Sequence, residues 1–291
     1  MDNRPVLFLD SGIGGLPYCR YFHLRNPREP LVYTADRENF PYGSKSREEL
    51  SAALISLTGQ LIDRFRPKLA VLACNTASVS ALAALRAAFP ALPFVGTVPA
   101  VKPAVQESRK RRIGVLGTSR TIGDPYIAEL AAQYGTDCII RGIAAGELVD
   151  FVEYRYAVTG KAEKRRMVEP YIEQFRADGA DGVVLGCTHF IFLLKEFRAA
   201  AAPDMKVYDS LEGVSRRAEQ ILDEGALRVE SRPKTGEGDA ETTRAGGAFI
   251  PGKESAAGNI LFLTGKEPPG DWQRWAKSFG LTLYGSSCGG V

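Results

Sequence analysis

Two cysteines of this chain stand in matching surroundings. Leu69-Ala70-Val71-Leu72-Ala73-Cys74-Asn75-Thr76 and Gly182-Val183-Val184-Leu185-Gly186-Cys187-Thr188-His189 each run an apolar stretch into a small residue, a cysteine, a polar pair and then a predicted helix. A thiol at the start of a helix, among polar neighbours, has its ionised form stabilised, which suits it to moving protons. Two such thiols facing one ligand from opposite sides can invert a carbon centre. One takes a proton from one face while the other delivers a proton to the opposite face. Taken singly, either cysteine reads as a core residue, because free Cys is among the most buried types. As a pair at matched strand ends they read as a functional couple. Cys19, Cys138 and Cys288 lack such a setting and read as ordinary.

Other polar groups share that position in the pattern. Asp10-Ser11-Gly12-Ile13-Gly14-Gly15 follows the apolar run Val6 to Leu9. It is not the dinucleotide fingerprint, because Pro17 stands where the third glycine belongs. Its backbone N–H groups suit a small carboxylate, and Asp10 suits a substrate ammonium or the tuning of a thiol. The plainer reading of the same residues is a turn. His189, two residues after Cys187, is placed to steer that thiol, or else is a helix-start histidine with its own partner. Tyr33-Thr34-Ala35-Asp36 leads into Asn39-Phe40-Pro41-Tyr42-Gly43-Ser44, a loop able to line a cleft.

These residues need elements to position them. Apolar runs predict strands at Val6–Leu9, Leu69–Ala73, Ile113–Gly117, Gly182–Gly186 and Lys206–Tyr208. Periodicity of three and four predicts helices over Glu48–Phe65, Ala77–Phe89, Tyr126–Tyr134, Lys161–Ala177 and Phe190–Ala200. Thr76 or Ser78 is the expected cap of the second, Pro90 its stop, and Gly135 closes the third. Strands alternating with helices imply parallel sheets covered on both faces. Asp10 and Thr118 follow equivalent strands at nearly the separation of Cys74 and Cys187. The chain is therefore read as two pseudo-symmetric, duplicated α/β domains with parallel-rich sheets, and a site in the cleft between them. In open α/β sheets ligands bind beyond the carboxyl ends of the strands, where Asp10, Cys74, Thr118 and Cys187 all fall. Residues 228–258, rich in Gly, Ser, Thr, Lys and Glu, read as a surface insertion. Order is expected again at Ile260–Leu263 and Asp271–Phe279, and residues 286–291 read as a frayed tail.

Composition narrows the class. At 291 residues with 45% hydrophobic and 24% charged side chains, the chain can bury full cores without staples. Its 37 basic and 34 acidic residues nearly cancel, which argues against a nucleic-acid binder. The cluster Arg109-Lys110-Arg111-Arg112 reads as a solvated helix end. No apolar run reaches membrane-spanning length, and the N-terminus lacks a signal-peptide layout, so a cytoplasmic protein is expected. Five scattered cysteines without a C-x-x-C pair and only two histidines disfavour a disulfide framework and a His-rich metal site.

Taken jointly, Asp10-Ser11-Gly12-Ile13-Gly14-Gly15-Leu16, Asp36 with Pro41-Tyr42-Gly43, Ala73-Cys74-Asn75-Thr76-Ala77, Gly117-Thr118 with Thr121, and Leu185-Gly186-Cys187-Thr188-His189 resemble the glutamate racemases of the cofactor-independent aspartate/glutamate racemase superfamily. The resemblance runs from residue 5 to about 225, and more weakly over Ile260–Phe279. It implies two similar α/β domains, 1–98 with 209–291 and 99–208, and an active site between them. It implies that Cys74 is the base for one enantiomer and Cys187 for the other, with Asp10 and His189 assisting. Ser11, Tyr42, Gly43, Asn75, Thr76, Thr118, Thr121 and Thr188 would hold the amino acid, together with Asp10 and His189. Glu153 matches a family glutamate at the site. Glutamate as ligand, no cofactor or metal, a homodimer, and supply of D-glutamate to peptidoglycan are further implications. Two places depart from the family pattern, Phe190-Ile191 after the second cysteine motif and Pro17-Tyr18 after the glycine loop. They leave the thiols untouched but bear on pocket shape. A racemase for aspartate or another amino acid is the alternative within the superfamily, and a non-catalytic amino-acid-binding protein the alternative outside it. Fold alone does not choose among them.

Overall fold

The computed structural model describes residues 2–134, 137–229, 259–265 and 271–284. Within these the strands are β1 (Val6–Asp10), β2 (Leu31–Ala35), β3 (Leu69–Leu72), β4 (Phe94–Gly96), β5 (Arg112–Gly117), β6 (Ile139–Ala144), β7 (Gly182–Gly186), β8 (Lys206–Tyr208), β9 (Ile260–Leu263) and β10 (Thr282–Tyr284). The α-helices are α1 (Leu16–Arg25), α2 (Arg47–Phe65), α3 (Asn75–Ala88), α4 (Val101–Glu107), α5 (Ser119–Gly123), α6 (Pro125–Tyr134), α7 (Gly146–Tyr154), α8 (Lys161–Ala177), α9 (Leu194–Ala201), α10 (Leu211–Glu224) and α11 (Trp272–Phe279).

The strands form two sheets, β10-β9-β2-β1-β3-β4 and β6-β5-β7-β8, with every described pairing parallel. β1, β2, β3 and β7 are buried along their whole length. Continuous apolar runs covered on both faces are what a parallel sheet requires. The order β2-β1-β3-β4 is repeated as β6-β5-β7-β8, so the duplication read from the cysteine and aspartate/threonine motifs extends to the topology. The last two strands, β9 and β10, extend only the first sheet, through β2.

Helix α2 shows how local sequence sets an element. Ser46 accepts from the Glu49 N–H while the Glu49 carboxylate accepts from the Ser46 N–H, closing the first turn. Leu50, Leu54, Leu57 and Leu61 then bury one stripe against the core of the first sheet, each stabilising by roughly 1.5–3 kcal/mol. An aspartate at Leu54 would break that stripe.

Two expectations need correction. α3 begins at Asn75, with Cys74 in the cap position in an extended conformation, so neither Thr76 nor Ser78 caps it. Ser78 donates to the Cys74 carbonyl at 2.8 Å and accepts from the Thr97 N–H at 2.8 Å, tying the helix to the exit of β4. The segment after Cys187 is a 3-10 coil over Thr188–Leu193 before α9 begins, where a continuous helix was expected. The tighter winding lets Thr188 reach Asp10 across the cleft and His189 reach Glu153 on α7 while all six side chains stay buried. α6 starts at Pro125, and its expected closing residue, 135, lies outside the described residues. So do Cys288, the tail 286–291, and the surface insertion apart from 228 and 229. The basic cluster does fall between α4 and β5, where the Arg109 and Lys110 N–H groups donate to Asp181. No helix among the described residues is long and apolar enough to cross a membrane.

Candidate active site

The carboxyl ends of β1, β3, β5 and β7 deliver Asp10, Cys74, Thr118 and Cys187, and polar contacts bind these two sets of strand ends together. Thr76 at the start of α3 lies 3.1 Å from the Thr118 hydroxyl and 3.4 Å from that of Thr121. The Thr118 and Thr121 hydroxyls are 3.1 Å apart, so three hydroxyls close a triangle across the two sheets. The Thr188 hydroxyl donates to Asp10 Oδ2 at 3.0 Å. Arg47 pairs with Asp124 at 2.6 Å, and Arg120 donates to the Lys45 carbonyl at 2.7 Å.

Cys74 is buried, with the Thr76 and Ala77 N–H groups of α3 directed at its sulfur. Burial, and the nearby Asp10, outweigh those N–H groups and hold the thiol well above its usual range. Cys187 is close enough to Cys74 to add to that effect. Asp10 is fully buried, and burial raises its carboxyl above the ordinary value although Thr188, the Ser11 N–H and His189 pull the other way. The Ser11 hydroxyl and N–H lie 3.3 and 2.5 Å from Asp10 Oδ1.

His189 Nδ1 lies 3.8 Å from Cys187 Sγ, and Nε2 lies 2.7 Å from Glu153 Oε1. Burial alone would lower the imidazole, but hydrogen bonds with Cys187 and Glu153 prevail and hold it well above its usual value. Glu153 moves the other way. Burial would raise it, yet His189, Arg37 and the Ile13 N–H together leave it lowered. The imidazole thus sits between the Glu153 carboxylate and the Cys187 sulfur.

Glu153 has both carboxylate oxygens engaged: Oε1 by His189 and by the Ile13 N–H at 2.8 Å, Oε2 by Arg37 at 3.0 Å. Its side chain is 2% exposed. It therefore orients His189 while three of its acceptor positions are taken by protein partners.

The glycine loop must stay glycine because the opposite wall presses on it. A Cβ at Gly12 would stand 1.8 Å from Glu153 Oε1, and one at Gly14 would stand 2.4 Å from His189 Nδ1. The Tyr33 hydroxyl fixes this loop, donating to the Gly12 carbonyl at 2.8 Å and accepting from the Gly15 N–H at 3.1 Å. Gly43 abuts Thr118, where a Cβ would fit at 3.6 Å. The Tyr42 hydroxyl is engaged by Asp36 at 2.9 Å, and Asp36 also accepts from Asn39 and from the Thr264 hydroxyl at the end of β9. Asn75 donates to the Thr97 carbonyl at 3.2 Å, while its buried Oδ1 has no partner among the described residues.

All thirteen residues expected at the site thus lie about the facing strand ends. Sequence reasoning missed Tyr33, Arg37 and Thr264 as parts of it. Tyr33 is disguised within an apolar strand, and Thr264 is more than two hundred residues from its partner. Arg37 has only its adjacency to Asp36 as a signal. Among the described residues no group of three or more His, Cys, Asp or Glu side chains is placed to hold a metal ion.

A family model described as Asp/Glu/Hydantoin racemase matches residues 21–214. A glutamate racemase of Sphingopyxis alaskensis is 41% identical over 233 residues, spanning 76% of this chain and 83% of that protein. One of Treponema pallidum is 43% identical over 210 residues, spanning 72% and 78%. Among solved structures, Escherichia coli glutamate racemase in complex with L-glutamate and the activator UDP-MurNAc-ala is similar with a TM-score of 0.72 at 28% identity, covering 96% of this chain and 97% of that one.

Proposed function

Because the chain belongs to the Asp/Glu/Hydantoin racemase family, and within it to the glutamate racemases, it is an amino-acid racemase, and we propose that it interconverts L- and D-glutamate without a cofactor through two opposed thiols. The observation that carries the reading is the pair Cys74 and Cys187 at equivalent strand ends, each heading a helical segment, with a buried carboxyl or imidazole beside each. The L-glutamate named with the Escherichia coli relative supports glutamate as substrate.

The α-hydrogen of an amino acid is a weak acid, so the protein must stabilise the carbanion that forms when it leaves. The amino end of α3 and the hydroxyls of Thr76, Thr118 and Thr121 suit the substrate's carboxylate charge. Asp10 and the Asn75 carbonyl oxygen suit the ammonium. A thiolate takes the α-proton from one face and becomes a thiol. The opposite thiol gives its proton to the carbanion and becomes a thiolate, so the enzyme ends in the mirror state, ready for the reverse direction. Cys74, held as a thiol, fits the donor role in one direction. Cys187, beside His189, fits the acceptor role in that same direction. D-glutamate made in this way would serve peptidoglycan. A cytoplasmic homodimer, each chain divided into 1–98 with 209–291 and 99–208, is the form we propose.

The test is incubation with each enantiomer in D₂O, following α-hydrogen loss by proton NMR and configuration by a chiral assay. Exchange with inversion from both enantiomers is expected, and Cys74→Ala and Cys187→Ala should each abolish turnover while circular dichroism stays native. Full activity in either variant sinks the two-thiol reading. Turnover of aspartate in place of glutamate in the same assay would move the substrate assignment.

A further inference from the structure

A cation lies buried beside this site that the proton transfers above do not use. Arg37 Nη1 pairs with Glu153 Oε2 at 3.0 Å, with the two side chains 4% and 2% exposed. Nη1 also reaches the Ser11 carbonyl at 3.5 Å, and Nη2 the Tyr154 hydroxyl at 3.4 Å. The guanidinium carbon lies 4.0 Å from the centre of the Phe40 ring and 5.5 Å from that of Trp272 on α11. Arginine stays charged in any protein setting, and its fork and flat face suit a carboxylate and aromatic walls. The residue therefore joins four stretches of chain: its own loop after β2, the glycine loop after β1, α7 and α11.

Its charge has a consequence along the row Arg37, Glu153, His189, Cys187. With Arg37 in place, Glu153 Oε2 is committed to the guanidinium, and Oε1 orients His189 Nε2 so that Nδ1 faces Cys187. With Arg37 gone, the buried carboxylate has only His189 as a cationic partner, so the imidazole proton is drawn toward Glu153 and the site loses one positive charge near the sulfur. Gly12 lies so close that a Cβ there would meet Glu153 Oε1 at 1.8 Å, so the carboxylate has little room to retreat toward the loop.

We propose that Arg37 is a positioning residue for the racemase reaction, clamping Glu153 from across the cleft and thereby setting how His189 is presented to Cys187. The proposal rests on the two-thiol reading. The charged and titratable groups facing the His189–Cys187 pair are Asp10 on β1, Tyr18 on α1, Cys74 before α3, Glu153 on α7, and Arg37.

The experiment is the pH profile of kcat/KM with glutamate for the wild type, Arg37→Gln, Arg37→Lys, Glu153→Gln and the Arg37→Gln/Glu153→Gln double variant. Arg37→Gln should lower kcat/KM by about tenfold to a hundredfold, the loss met when a group that orients another functional group is removed. The loss must be equal from both enantiomers, because their equilibrium constant is one. The acid limb should move to higher pH in Arg37→Gln and stay in place in Arg37→Lys, which keeps the charge. In the Glu153→Gln background, Arg37→Gln should add less than about twofold, since coupled residues are not additive. A profile for Arg37→Gln that overlays the wild type, or a full additional loss in the double variant, overturns the proposal. If Arg37→Gln does not fold, Arg37→Lys decides: a displaced acid limb there shows that the charge is not what matters and also overturns it. Full activity in Cys187→Ala would instead overturn the two-thiol reading, so the two failures are distinguishable.

Discussion

Replacing Gly12 by alanine tests whether the contact between the glycine loop and Glu153 is as tight as the geometry states. The new Cβ would lie 1.8 Å from Glu153 Oε1, 2.7 Å from its carboxyl carbon and 3.1 Å from Arg37 Nη1. Non-bonded heavy atoms settle at roughly 3.5 Å, so the carboxylate or the loop must yield by well over about 1 Å. The loop cannot easily yield, because Tyr33 holds both the Gly12 carbonyl and the Gly15 N–H. The carboxylate must therefore leave its hydrogen bonds to Ile13, His189 and Arg37. Breaking a buried ion pair costs about 3–5 kcal/mol. At roughly 2–4 °C per kcal/mol for a chain of this class, Tm should fall by about 6–20 °C. A displacement of about 1 Å in positioning groups can cost ~10²-fold, so kcat/KM should fall by about that much. Thermal unfolding by circular dichroism and α-hydrogen exchange by proton NMR measure the two effects. Gly59→Ala is the control, since its Cβ would meet only Phe89 at 3.8 Å inside α2, and alanine there should stabilise by up to ~1 kcal/mol. A Gly12→Ala protein with the Tm and kcat/KM of the wild type would refute the reasoning.

Further outcomes are expected elsewhere. Tyr33→Phe removes a buried hydroxyl with two backbone partners and should cost about 1–3 kcal/mol in urea unfolding, with a smaller loss pointing to a loop that needs no anchor. Lys68, buried with Glu29 at 2.6 Å at the amino end of β3, holds the Asp2 and Leu227 carbonyls far from the thiols. Lys68→Ala should destabilise by about 3–5 kcal/mol, and a Lys68→Met/Glu29→Leu pair should recover most of it in the same assay. The Glu153–His189 pair should give stability a bell-shaped pH dependence. His189 is raised in the folded state, so its contribution is full below about pH 6.5 and fades as pH rises through its folded pKa. Glu153 is lowered, so its contribution is full above about pH 4.3 and fades as pH falls through its folded pKa. Urea midpoints of wild type and Glu153→Gln across pH should differ most between those two limits, and a pH-independent difference would contradict the pairing.

The parts of the molecule legible in the sequence are those with a period or an uninterrupted apolar run. β7 and α8 match their sequence-derived bounds, because a fully buried parallel strand and a long amphipathic helix leave strong patterns. β6 was not foreseen. It is an edge strand that is largely exposed, with only Ile140 and Ile143 half-buried and Ile139 half in solvent, so its pattern is dilute. The 3-10 coil after Cys187 was read as α-helix because an apolar run does not distinguish three residues per turn from 3.6. At the site, the cysteines and the glycine loop were visible because chemistry confines those residue types to short motifs. Arg37 and Tyr33 were not, because their partners come from distant segments and a single residue has no period.

The addition of β9 to the edge of β2 also sets the order in which the protein becomes complete. A ribosome adds roughly 5–20 residues each second. Asp36 therefore leaves it on the order of 10–45 s before Thr264, its hydrogen-bond partner 228 positions later. During that interval both cysteines have been synthesised, while β2 still presents an unpaired edge, a known invitation to wrong pairing. Trp272, which packs over Arg37, arrives later still. The nascent chain thus carries Cys74 and Cys187 before β9 covers the edge of β2 and before Trp272 packs over Arg37.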